Sequence, residues 1–337
     1  MILLQTYQYD YIISHYKTER LAIVIDSLTI AIPFSLVCFK LIAIWTNQSV
    51  LREILTTMKE DCEKYAVTDT DNLIAKTSVL SFRLTTAILA AHITCSTLYI
   101  IGVLGYQQGN STTRELLFRM DLPFDTNVSP AYELVVTEQI LHLLSSSLTF
   151  STFGSLLLTM TLHVGCLVDI LCNRLLESSL IDKEQIRFLI IRQQEITMFV
   201  KKLEQLFTYI ALVQLLANTI VTCCTGYLIV SSVGLENVVP VFLKCIMFYN
   251  VMCLDAFTYC FVGEFLEIKS NMIAETAYGI PWYDLDPNVS RQVVLLILRA
   301  HNGLPLTFGK FSKLSLESFT AMMKASASYM SVLLAMS

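Results

Sequence analysis

The chain has 337 residues, of which 54% are hydrophobic and 15% charged, with a formal net charge of −5. Soluble domains carry charge on about a quarter of their residues, so this composition excludes a wet surface all round and points to a polytopic, all-α membrane protein. Its sum of charge says little, because in a membrane protein the distribution of charge decides; no nucleic-acid partner is expected.

Six apolar windows read as spans: 22–46, 79–106, 131–165, 205–230, 240–265 and 315–336. Each runs to roughly 20 residues or more, enough for a hydrocarbon core of about 30 Å. The third and fourth are expected to continue past the membrane as helices. From Asp182 onward, Ile186, Leu189, Ile190, Ile196, Phe199, Val200 and Leu203 keep helical spacing with charges between them. That segment runs without a break into the span at 205, so one long helix is expected, and a second amphipathic helix is expected over 289–301. These parts either bundle the cytoplasmic ends of the spans or form a subunit-contact domain, and both can hold.

Fifteen lysines and arginines fall on segments 47–78, 166–204 and 266–314, against four on the opposite side. The positive-inside rule then places the first group in the cytoplasm. Both chain ends face out, and 107–130 becomes an extracellular loop carrying the glycosylation sequon Asn110-Ser-Thr. None of the ten cysteines lies in an outside loop, so no structural disulfide is expected.

Catalytic signatures are missing. There is no G-x-S-x-G, no Gly-rich phosphate loop and no Cys-x-x-Cys pair, and the five histidines never take metal-ligand spacing. No enzyme, cofactor or metal is expected. The charges read as intramembrane, away from Glu133, Glu138 and Glu317 at the span ends, are Asp26, Lys40, Arg83, Lys244, Asp255, Glu264 and Lys324. Lys40, Arg83 and Glu264 lie near cytoplasmic ends and can snorkel. Asp255, amid aromatics in NVMCLDAFTYC, reads equally as the ion site of a transporter or as a structural acid whose partner the sequence does not reveal. His92 and His142, at membrane depth, read as packed, singly bonded side chains.

The C-terminal third resembles the insect odorant receptors. The matching elements are Tyr259-Cys260 with Gly263-Glu264, Tyr278 with Trp282, and Pro305-Leu306 with Gly309-Lys310-Phe311. Leu314-Ser315-Leu316 with Phe319 follows, then Lys324 through Ser328-Tyr329 to Leu333. Ser129-Pro130-Ala131-Tyr132-Glu133 and the run His163 to Cys166 are similar as well, and the wording around Lys324 is most similar to receptors of bees, ants and wasps. The resemblance implies a seven-span subunit with an outside C-terminus. Such subunits form odorant-gated, non-selective cation channels as heterotetramers with an obligate co-receptor, in the plasma membrane of olfactory neurons.

Six of those seven spans are visible. The expected division is therefore 1–20, an extracellular stub of the missing first span; 21–265, a ligand-binding bundle with cytoplasmic helical extensions; and 266–337, a cytoplasmic anchor and C-terminal pore helix. On this topology the outer halves of the spans bring together Ile25, Thr29 and Ile32, then His92, Ser96, Tyr99 and Val103. Val136, Ile140 and Leu143 follow, with Phe242, Ile246 and Tyr249. Such a lining suits a small apolar volatile or cuticular compound held by shape and dispersion. In the last helix Ala325, Ser328, Val332 and Ala335 form one stripe, and the resemblance places Val332 at the gate of the pore. Two alternatives stay open: a gustatory receptor-like channel, and a secondary transporter using Asp255.

Overall fold

The computed structural model describes residues 2–65, 72–110, 116–124, 128–177, 183–232, 238–301 and 303–336. The elements run α1 (Ile2–His15), α2 (Leu21–Thr46), α3 (Gln48–Tyr65), α4 (Leu73–Asn110), α5 (Ala131–Glu177), α6 (Lys183–Ser231) and α7 (Val238–Tyr278). A short 3₁₀ turn, α8 (Pro287–His301), the strands β1 (Thr307–Phe308) and β2 (Ser312–Lys313), and α9 (Leu316–Met336) complete the order. The Asn110 side chain lies outside the described residues.

Helices α2, α4, α5, α6 and α7 are long and apolar enough to cross a membrane. The expected sixth span, α9, is not among them, because Lys324 and its serines dilute the apolar run. Helices α5 and α6 have 47 and 49 residues. At 1.5 Å per residue each extends about 70 Å, more than twice the hydrocarbon thickness, so both continue beyond the membrane as the spacing after Asp182 requires. In its most apolar window α5 is 83% buried and α4 only 17%. Helix α5 is therefore the centre of the bundle, and α4 turns Phe82, Leu98 and Ile101 toward lipid.

The segment before α2 is folded as helix α1. Helix α1 packs against α2, where Gln5 Nε2 donates to Ala31 O at 3.1 Å and Tyr9 and Ser35 share a hydrogen bond of 2.7 Å. Its far end meets the segment between α4 and α5, His15 standing 3.5 Å from Asp121. Polar groups in a bilayer must be satisfied within protein, and α2 satisfies them here.

The largest core joins α5, α6, α7 and α8. The stripe Val289, Val293, Leu296 and Ala300 buries α8 into it. At its edge Arg192 donates to Asp61 at 2.6 Å, and His163 stands 3.4 Å from the same carboxyl. Burial pushes the Asp61 carboxyl up, but hydrogen bonds from His163 and Arg192 together with their charge outweigh it and hold it below its ordinary value.

The connection into α9 explains the Gly-Lys-Phe motif. Gly309 and Lys310 both take left-handed φ, +60° and +61°, and close a turn from Phe308 to Phe311. The Gly309 N–H donates to Thr208 O at 3.0 Å, which ties the hairpin to α6. Glu264 does not snorkel: its carboxylate accepts from the Leu316 N–H at 3.2 Å, holding the first turn of α9.

Candidate functional site

A cavity of about 70 Å³ opens between α2, α4, α5 and α7. Helix α2 supplies Ile30, Pro33 and Phe34, and α4 supplies His92, Cys95, Ser96 and Tyr99. Helix α5 adds Leu143, Ser146, Ser147 and Phe150, and α7 adds Met247, Phe248, Val251 and Met252. Aromatic rings and thioethers dominate; Ser96 and Ser147 share a short hydrogen bond, while the Tyr99 hydroxyl has no partner among the described residues. An enclosed surface of this kind holds a small molecule chiefly through dispersion and desolvation.

Phe118, from the segment between α4 and α5, covers one end of the cavity. Its ring packs edge-on against Phe34 at 5.4 Å and stacks near Tyr99 at 6.2 Å. The loop that carries it is held by one fully buried side chain. Gln139 Oε1 accepts from the backbone N–H of Leu117 (2.9 Å) and Phe118 (3.3 Å), while its Nε2 donates to Phe118 O at 2.9 Å.

Of the residues expected in the pocket, His92, Ser96, Tyr99 and Leu143 line this cavity. The others fall elsewhere. Thr29 borders a smaller space beside Asp26 and Lys244. Ile25 packs with Tyr227 and Leu228, and Ile32 against Leu36 and Phe150. Val103 and Ile140 pack above the cavity with Leu117, and Val136 is buried apart from it. Phe242 is 41% exposed, and Ile246 and Tyr249 are half-buried outside the lining. On α2 the lining is turned by about one residue from the expected stripe, and on α5 it lies one to two turns deeper. Phe34, Phe118, Phe150 and the Met247–Met252 face were missed. A Gln in an apolar stretch, such as Gln139, is the one sequence signal that could have pointed to the loop.

Below the cavity the intramembrane charges converge. Lys40 does not snorkel: it is fully buried, with Nζ 4.1 Å over the Phe150 ring and 5.8 Å over that of Tyr259. Asp255 does have a neighbour, since His92 Nε2 stands 3.2 Å from its Oδ1, and His92 Nδ1 contacts Ile88 O at 2.9 Å. His142 is packed on Phe34 with both ring nitrogens unbonded among the described residues, rather than singly bonded. Apart from these, Lys244 donates to Asp26 at 2.8 Å and joins α7 to α2.

The last helix has two faces. Met322, Ser326, Met330 and Leu333 turn into the subunit, and Ser326 Oγ donates to Thr219 O of α6 at 3.3 Å. Ser328, Val332 and Ala335 are exposed and Ala325 is half-buried.

A family model described as 7tm Odorant receptor matches residues 21–327. Odorant receptor 10 of Aedes albopictus is 28% identical over 230 residues, covering 65% of this chain and 60% of that protein. Odorant receptor 13a of Drosophila melanogaster is 28% identical over 164 residues, 45% of this chain and 39% of that one. The matched stretches thus span less than two thirds of these relatives' length. The insect olfactory receptor OR5 from Machilis hrabei, solved in complex with eugenol, aligns with TM-score 0.79 over 100% of this chain and 88% of that chain. At 14% identity that is a likeness of fold.

Proposed function

Because the chain belongs to the 7tm odorant receptor family, we propose that it is the ligand-binding subunit of an odorant-gated cation channel formed with a co-receptor. The observation that carries this reading is the cavity under Phe118, apolar on its walls and covered on one side by the segment that Gln139 holds. A small volatile or cuticular molecule with an apolar body suits it. The proposed site keeps the expected His92, Ser96, Tyr99 and Leu143 and takes in Phe34, Phe118, Phe150 and Phe248. Ala325, Ser328, Val332 and Ala335 are the proposed pore face, with the C-terminus outside, in the plasma membrane of olfactory neurons. Co-receptor subunits complete the heterotetramer around that face, and lipid surrounds α4. Receptor and channel, rather than enzyme, is the role this arrangement supports.

Expression with and without a co-receptor tests the proposal. Odorant-evoked, non-selective cation current is expected only with the co-receptor. Solute uptake by the subunit alone, abolished by Asp255→Asn, would instead establish a transporter and sink the channel reading.

A further inference from the structure

We infer that the apolar cavity ends in a polar subsite, built from Lys40, His92, Asp255 and Tyr259, which takes the oxygen acceptor of a ligand with an apolar body: a carboxylic acid, aldehyde, ketone or ester. The inference rests on the cavity being the ligand site. Two residues join cavity and subsite. His92 lines the cavity and stands 3.2 Å from Asp255 Oδ1. Phe150 lines the cavity and carries Lys40 Nζ 4.1 Å over its ring.

The subsite is rich in unmatched donors. Lys40 Nζ and Tyr259 Oη have no hydrogen-bond partner among the described residues, and the two side chains are 0% and 1% exposed. An ammonium brings three N–H donors and a phenol one O–H. Asp255 Oδ2 is likewise unmatched among the described residues, and Asp255 is 4% exposed. Buried polar groups in a bundle interior are normally satisfied, and an ionisable side chain at membrane depth marks a site. A hydrocarbon can satisfy none of these donors. A carbonyl or carboxyl oxygen can accept from Lys40 and Tyr259 while its alkyl or aryl body stays among Phe34, Phe248 and Met252.

The test is a thermal-shift series on the purified full chain in lipid nanodiscs. The panel holds methyl ketones and carboxylic acids of pentyl to octyl length, each with its chain-matched alkane. Oxygenated members are expected to produce a given shift at a concentration roughly tenfold or more below that of the alkane, the ratio set by a hydrogen bond to a charged donor. In Lys40→Met that ratio should fall toward one. If Lys40→Met leaves Asp255 uncompensated and fails to fold, Lys40→Met with Asp255→Asn removes both charges and should give the same loss. Equal potency of ketone, acid and alkane on the native chain would overturn the subsite while the cavity reading stands. An unchanged ratio in the double variant would show a water-filled pocket and also overturn it. No shift with any member would overturn the cavity reading, and the subsite with it.

Discussion

Asp61 is 6% exposed, between the Arg192 guanidinium at 2.6 Å and the His163 ring at 3.4 Å. Its carboxyl is held below its ordinary value, burial being outweighed by hydrogen bonds from His163 and Arg192. A carboxyl depressed in the folded state adds stability above its unfolded value, near pH 4, and loses it as pH falls through the lower folded value. Removing one partner of such a buried pair costs about 3 kcal/mol. Asp61→Asn is therefore expected to unfold earlier than the native chain at neutral pH in nanodisc melts, with the gap closing on acidification. A gap that stays constant with pH would show that the carboxylate is not the cause. Lys40 teaches the reverse lesson about reading residues singly. Its place near the end of a span suggested snorkelling, because nothing local announces Asp255, Phe150 and Tyr259 as its surroundings.

Whole helices were legible because the bilayer fixes their length and hydropathy marks it: every expected span lies within or closely matches an observed helix. The rotation of each helix was not. Where one face meets lipid and the other meets protein, both are apolar, and periodicity no longer says which face turns inward. So α2 presents Ile30, Pro33 and Phe34 to the cavity instead of Ile25, Thr29 and Ile32. Small residues and polar side chains carry the contact information that hydropathy lacks. Gly263 is such a signal: a Cβ there would stand 2.1 Å from Leu314 O, a backbone atom that cannot step aside. At Gly226 the Cβ would meet Met330 Sδ at 2.6 Å, the far end of a flexible side chain. Gly263→Ala is thus expected to push the segment before α9 off α7 and cost about 3 kcal/mol or more, whereas Gly226→Ala should cost about 1 kcal/mol or less. Melting of the two variants side by side checks this, and equal losses would mean that α7 and α9 do not depend on that approach.

Across the molecule the cavity and the last helix are joined by contiguous packing. Tyr99 and Phe248 line the cavity and also border the small space that holds Asp26, Lys244, Thr225 and Leu228. Leu228 packs in one cluster with Met330 and Leu333 of α9. A ligand that prefers one arrangement of these side chains would bias α9 by its differential affinity for the two arrangements. The opposite face of α9 leaves Val332 54% exposed beside Ser328. Subunits arranged about an axis would bring such valines together as a ring that closes a pore by excluding water. A serine in place of the valine is smaller and carries a hydroxyl, and both changes invite water into the ring. Val332→Ser, co-expressed with a co-receptor, should therefore raise current in the absence of ligand while leaving ligand binding in the thermal-shift assay unchanged. The two readouts separate gate from pocket. Unaltered basal current, at surface expression equal to that of the native chain, would place the gate elsewhere on α9 or on the partner subunits.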